Sequence, residues 1–282
     1  MESLREFICY NQKQIIKYEY IISNLHKDFR KIYKDSKSTH EEINISYEKL
    51  HIESFLLMEN IFKENFNFIK NTFGLFDKDL RFTIKIINNE YVTDIYRSHN
   101  INSLFHESKY TENTAFDEIM NHDKKYFHSD NLEELYKAGK YKNPRLKEKD
   151  FLLRNSIEWK DCWNDYDGKK NNNKNYYNST LVIPMSITSD NEDENSDFYN
   201  AFFKEKNESI AKSKTRTIWG FACFDSQQKD YFGSLKHIDF LDLGYIISDI
   251  LSIYLVYFYN YTITSKTILE YENSLKNDNK TE

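Results

Sequence analysis

Six glycines and two prolines in 282 residues leave this chain short of the residues that make tight turns, left-handed conformations and helix stops. A collagen-like repeat, a Pro-rich scaffold and a many-turned all-β architecture therefore do not fit, and helix is expected to dominate. Hydrophobic residues make up 39% of the chain, below the roughly 45–50% of average globular proteins, yet aromatics reach 16%, with 22 Tyr and 21 Phe. A packed core is expected, and the length allows one large or two modest domains.

The formal charge of −6 at pH 7 supplies no field that would draw the chain to polyanions, so nucleic acid is not an expected partner. Cys9, Cys162 and Cys223 are odd in number, far apart and without a CxxC pair, which suits a reducing, cytoplasmic setting. The opening MESLREFICYNQKQ mixes both charge signs before any apolar run, unlike a secretory signal. The apolar stretch from Phe240 to Tyr261 contains Asp242 and Asp249, and its uncharged run from Ile250 to Ile263 falls short of the roughly 20 residues a bilayer needs. No membrane span is expected from it.

Apolar residues step by three and four through Leu4, Ile8, Ile15, Tyr18, Ile22, Leu25, Phe29 and Ile32, with Asn11 in the one gap. The spacing reads as a coiled-coil seam in which a lone Asn sets register, or equally as a core-facing helix. Ser38 with Glu41, or Thr39 with Glu42, forms a capping box that starts a second helix running to Gly74. Its two apolar stripes, one through Phe55, Phe62 and Ile69 and one through Leu50, Leu57 and Phe68, predict burial on both sides.

The period then changes from 3.6 to 2. Leu80 to Ile86 alternates strictly, Asn88-Asn89 supplies a turn, and Tyr91 to Tyr96 resumes strand character, which predicts a β-hairpin. Short helices follow, one capped at Asn113 or Thr114 and running to Tyr126, the other capped at Ser129 or Asp130 and ending at Gly139. Arg145 to Tyr166 reads as helical, and 167–175 as a polar linker. Two strands, Ser179 to Ile187 and Thr217 to Asp225, flank the acidic run 190–195, which lacks the Gly and Glu of a calcium loop and reads as solvated. A last helix holds its three-four spacing from Phe240 to Leu275.

This order of elements describes an α+β fold, an antiparallel sheet with helices on its faces, flanked by an N-terminal helical hairpin and a long C-terminal helix. The segments Tyr177-Asn178-Ser179-Thr180-Leu181-Val182-Ile183-Pro184-Met185 and Ile218-Trp219-Gly220-Phe221-Ala222-Cys223-Phe224-Asp225-Ser226, followed by an Ile/Leu-rich helix, resemble the second half of a GAF domain. The resemblance implies a helical region at 1–74, a GAF-like domain at 75–262 with polar insertions near 145–176 and 188–214, and a helical extension at 263–282. It also implies a cytosolic sensor whose ligand lies between the sheet and the short helices crossing one face, plausibly of nucleotide type. The alternative is a ligand-free adaptor or dimerisation module.

Catalysis is not indicated. His128-Ser129-Asp130 holds the residue types of a triad, but neighbours in sequence cannot direct their side chains at one another, and no GxSxG elbow occurs. The histidines show no metal-ligand spacing and no phosphate-binding glycine loop is present, so no metal or cofactor is expected. Within the family resembled, bilin attachment needs Cys beside His, sulfoxide reduction needs several cysteines in one pocket, and haem binding needs a histidine such as His99, His106 or His128. Only Cys223 falls on a sheet strand, where a buried inert thiol is the expected role. Phe116, Phe127, Ser129, Asp130, Asn131, Thr180 and Cys223 are the candidate ligand-lining residues, with 126–131 closing the pocket; the competing reading is that they only pack and cap. The seams at both ends of the chain predict a parallel homodimer with Asn11 opposite its symmetry mate, and an output to an unidentified protein partner.

Overall fold

The computed structural model describes residues 2–35, 37–72, 80–88, 90–98, 107–147, 154–164, 176–188, 216–234 and 240–278. Gly74, Asn89, the linker 167–175, the acidic run 190–195, His99 and His106 lie outside the described residues. Two compact units are present, one made of 1–72 with 250–282 and the other of 73–249. Residues 250–262, expected to close the sheet domain, therefore group with the N-terminal helices.

The first unit contains α1 (Glu2–Lys34) and α2 (His40–Thr72), which pair antiparallel, with Phe7 against Phe68 at 5.6 Å and Phe29 against Tyr47 at 6.2 Å between ring centres. Of the possible capping boxes, Thr39 and Glu42 form one: the Glu42 N–H donates to Thr39 Oγ1 at 3.2 Å and the Thr39 N–H to Glu42 Oε2 at 2.7 Å. The distal part of a long helix, here α6 (Phe240–Asp278), completes the unit and buries Leu251, Tyr254, Leu255 and Phe258 in it. The seam residues Tyr18, Ile22 and Phe29 are fully buried inside this one chain.

Asn11 has its partners within the chain. Its Nδ2 donates to Phe7 O at 3.0 Å and its Oδ1 accepts from the Tyr254 hydroxyl at 3.1 Å. The two-sided burial expected of α2 is corrected. Its buried positions, Leu50, Ser54, Met58, Phe62, Asn65 and Ile69 among them, form one face, while Ile45, Ile52 and Leu56 are more than half exposed on another.

The second unit is an antiparallel six-stranded sheet in the order β3-β2-β1-β6-β5-β4, with helices on both faces: an α+β fold. The hairpin β1 (Arg81–Asn88) and β2 (Tyr91–Arg97) and the long strands β5 (Ser179–Thr188) and β6 (Arg216–Ser226) stand where alternation placed them. Two edge strands of three residues, β3 (Glu107–Lys109) and β4 (Phe127–Ser129), were not predicted, since three residues carry too little periodicity to register. β4 takes up part of the segment expected to be a pocket-closing loop and pairs with β5. The short helices are α3 (Thr114–Met120), capped by the Asn113 side chain, and α4 (Leu132–Lys137), capped by Asn131 rather than Ser129 or Asp130. Of the helix expected from Arg145 to Tyr166, Arg154 is helical, Leu146 instead bridges Trp163 and Trp159–Cys162 form a 3₁₀ turn; 148–153 and 165–166 lie outside the described residues. A four-residue helix, α5 (Tyr231–Ser234), precedes α6.

One sheet face carries Phe82, Ile84, Leu181, Ile183 and Phe224, and the start of α6 lies on it. Phe240 meets Phe224 at 5.4 Å, and the Ser248 hydroxyl donates to Pro184 O at 3.2 Å. By length and composition Phe240–Thr262 could cross a membrane, but half of that window is buried inside the protein, so packing accounts for much of its apolar character. The opposite face carries Thr83, Lys85, Phe221, Cys223, Asp225, Thr180 and Val182, and it is this face that α3, α4 and residues 141–147 and 154–164 cover.

Candidate functional site

Alternation sets the chemistry of the covered face. Along β1 the apolar positions Phe82, Ile84 and Ile86 point one way, so Arg81, Thr83 and Lys85 point the other, opposite Asp225, Cys223 and Phe221 of β6. A bulge between Ile84 and Lys85 in the pairing with β2 brings Lys85 opposite Asp94 and Thr83 opposite Arg97. The Asp94 carboxylate, 3% exposed, consequently takes ion pairs from both Lys85 and Arg97. These groups sit under protein, where an ionised side chain persists only with partners.

The covering segment contributes aromatic and polar groups. Trp163, Trp159 and Tyr177 cluster, with Trp163 at 4.5 Å from Tyr177 and at 5.2 Å from Trp159 between ring centres. The Trp159 indole N–H donates to Tyr177 O at 2.9 Å, and the Arg145 guanidinium lies over Trp163 at 5.3 Å while donating to Asn164 O at 3.3 Å. The Arg145 N–H donates to Asn143 Oδ1 at 3.0 Å, which fixes the orientation of that amide. Asn143 Nδ2 then donates to the Tyr177 and Tyr141 hydroxyls at 2.8 and 3.3 Å.

Between this segment and the sheet lies a cavity of about 60 Å³, lined from the sheet by Thr83, Lys85, Thr180, Val182, Cys223 and Asp225. Its other walls include Asn113, Phe116, Tyr141, Asn143, Arg145 and Tyr177. The volume is well below the roughly 300–1,000 Å³ of sites for drug-sized ligands. This cavity is small and polar and lies toward β1 and β6, not under 127–131, where an apolar pocket was expected.

Burial governs titration here. It raises the Asp225 carboxyl above its usual range, against the Thr180 hydroxyl, which donates at 2.6 Å, and against Arg81, Lys85 and Arg145, which lower it. Burial likewise raises the Cys223 thiol, with Lys85 opposing, so the sulfur stays protonated and is a poor nucleophile. The Tyr141 and Tyr177 phenols are raised by the same cause.

Of the residues singled out in the sequence, Phe116, Thr180 and Cys223 line the cavity, and Phe127, Ser129, Asp130 and Asn131 do not. Phe127 packs near Tyr141, with ring centres 6.3 Å apart. Ser129 Oγ accepts from the Asn131 N–H at 3.3 Å, and Asn131 Oδ1 accepts from the Glu134 N–H as the cap of α4. Asp130 ties the α5 turn, its Oδ1 accepting from the Phe232 N–H at 3.1 Å. Lys85, Asn143, Arg145, Tyr141, Tyr177 and Asp225 were missed. The signal was the Arg-Thr-Lys side of β1, which reads as a solvent face until the covering segment is in place. Among the described residues no group of three His, Cys, Asp or Glu side chains could hold a metal ion.

No model of a known protein family matches the chain, and no curated protein matches it. Among solved structures, it is similar to a type II free methionine-R-sulfoxide reductase from Thermoplasma acidophilum, with a TM-score of 0.39 and 9% identity, over 72% of this chain and 96% of that one. It is also similar to the A. aeolicus nlh2 GAF domain in an inactive state, with a TM-score of 0.35 and 11% identity, over 86% of this chain and 97% of that one.

Proposed function

We propose that the sheet unit is a GAF-like sensor of a small molecule, with the polar cavity on the covered sheet face as its binding site. The observation that carries this reading is the placement of Lys85, Arg145 and Asp225 around one partly open cavity, each largely withdrawn from solvent. A fold that needed only to pack could put apolar groups there, since burying charge costs more than burying a hydrocarbon. The place also agrees with the resemblance, which puts a ligand between the sheet and the short helices. Sensing is favoured over catalysis because the one cysteine in the cavity is held protonated and Cys162 lies outside the residues lining it. A nucleotide, the ligand type the resemblance suggested, would require the covering segment to open beyond the present volume. Output would pass along α6, which starts on the other sheet face and continues to Asp278, to an as yet unidentified protein.

Native mass spectrometry of the purified protein, followed by identification of released small molecules, tests the reading. A bound ligand at a hundredfold excess over its dissociation constant should stabilise the protein by about 2.7 kcal/mol. A protein that releases nothing and melts at the same temperature across a broad metabolite screen would be an adaptor.

A further inference from the structure

The hydrogen-bond inventory of the cavity specifies more than a small ligand. Asn143 spends both amide protons on the Tyr141 and Tyr177 oxygens. Those two oxygens are 3.4 Å apart, so one phenol proton can bridge them. Each phenol has one proton, and the second one has no acceptor among the described residues. Tyr141 is only 3% exposed, Tyr177 is partly buried, and both phenols line the cavity. One donor is therefore presented to whatever occupies the space, from the wall that also carries Arg145.

The sheet wall, where Lys85 is already paired with Asp94, presents an acceptor. Asp225 Oδ1 takes the Thr180 hydroxyl at 2.6 Å, and Oδ2 has no donor among the described residues. A carboxylate on that wall is complementary to a cation or a strong donor, and a phenol proton on the wall that carries the Arg145 guanidinium is complementary to an anion. A ligand carrying one charge alone would leave one of these groups unmatched in a mostly buried site, where an unsatisfied group is costly.

Resting on the sensor reading above, we propose that the cavity takes a small zwitterion, its ammonium on Asp225 and its carboxylate toward Tyr141, Tyr177 and Arg145. The class is that of free amino acids and short amino-carboxylates. At about 60 Å³ the space holds a charged head of a few heavy atoms.

Isothermal titration and thermal shift on the full chain provide the test. Each free protein amino acid, β-alanine and γ-aminobutyrate are compared with the analogues that lack the amine or the carboxylate, and with adenosine monophosphate. At least one zwitterion should bind, and removing either charge should weaken it by about tenfold to a hundredfold. Asp225→Asn should weaken the zwitterion by a similar factor while leaving the desamino analogue unchanged, and Tyr177→Phe should weaken both. Circular dichroism confirms the fold of each variant, and the analogue pairs on the unaltered protein decide the matter where a variant fails to fold. Equal affinity for a plain carboxylate, or binding of the nucleotide alone, overturns the zwitterion and leaves a small-molecule sensor standing. A flat response to every probe, with nothing released from the native protein, overturns both.

Discussion

Tyr254 and Asn11 show how a single polar contact holds a helical core. The Tyr254 hydroxyl donates to Asn11 Oδ1 at 3.1 Å, and both residues are at most 1% exposed. Tyr254→Phe keeps the ring contacts with Tyr18 and Phe62 but strips that amide oxygen of its tyrosine donor. It should lower stability by about 1–3 kcal/mol in urea unfolding followed by helical circular dichroism, whereas Asn11→Leu with Tyr254→Phe together should cost less than the sum of the two single changes. His26 adds a pH dependence. Burial and Arg30 lower its pKa, and its Nδ1 lies 3.0 Å from Ser265 Oγ. The unfolded chain, with a histidine near 6.5, therefore binds the proton first. Stability should be full above about pH 6.5 and fall as the pH drops from there toward the lowered folded value. A His26→Gln variant melted across the same range should lose that part of the slope. Thiol chemistry separates the cysteines in the same way: Cys9 is exposed while Cys162 and Cys223 are buried. Ellman's reagent should titrate one thiol quickly in the native protein and all three only after denaturation.

At the scale of elements, close approach is enforced where a side chain is missing. A Cβ on Gly220 would run into the Lys85 carbonyl oxygen and the Met185 methyl, and one on Gly244 would run into Ile183 Cδ1, while Gly233 would meet only Asp130 Oδ2 at 3.2 Å. Gly220→Ala presses on backbone in the central strands β1 and β6, which cannot give way without breaking their pairing. It should cost upward of about 2 kcal/mol and reduce soluble yield, with Gly233→Ala as the mild control within about 0.5 kcal/mol, both read from urea midpoints. The long elements were legible because period survives over many residues: thirty-three for α1, seven or more for each long strand. The edge strands β3 and β4 were not, because three residues of extended chain are defined by the neighbour they pair with rather than by their own pattern. The described ends of the helix expected from Arg145 depart from it for a related reason. Leu146, Trp159, Cys162 and Trp163 are buried from a bridge and a 3₁₀ turn, a tertiary demand that overrides local spacing. The site shared that fate. Thr180, Phe116 and Cys223 could be placed from strand and helix pattern, but Arg145, Asn143 and Tyr177 reach the cavity from irregular chain, whose course no periodicity encodes.

At the scale of the whole molecule, the question is whether the apolar seams of α1 and α6 are satisfied inside one chain or between two. Within the helical unit, Tyr18, Ile22 and Phe29 of α1 and Leu251, Tyr254 and Phe258 of α6 are all at most 8% exposed in a single copy, and Asn11 has both its amide partners there. A seam shared between subunits would tie folding to association, and its melting temperature would rise with protein concentration. A seam closed within the chain carries no such dependence. Helical melting should accordingly be unchanged over a hundredfold range of concentration on the order of micromolar. Tyr254→Asp, which forces a carboxylate into the same core, should lower the melting temperature equally at both ends of that range, since it removes packing and buries a charge without touching an interface. Sedimentation of the parent in parallel separates any association through other surfaces, such as the exposed Ile45, Ile52 and Leu56 of α2, from the seam itself. A melting temperature that climbs with concentration, together with dissociation of the Tyr254→Asp variant into folded monomers, would move the seam to a subunit interface and reopen a symmetric pairing of α1.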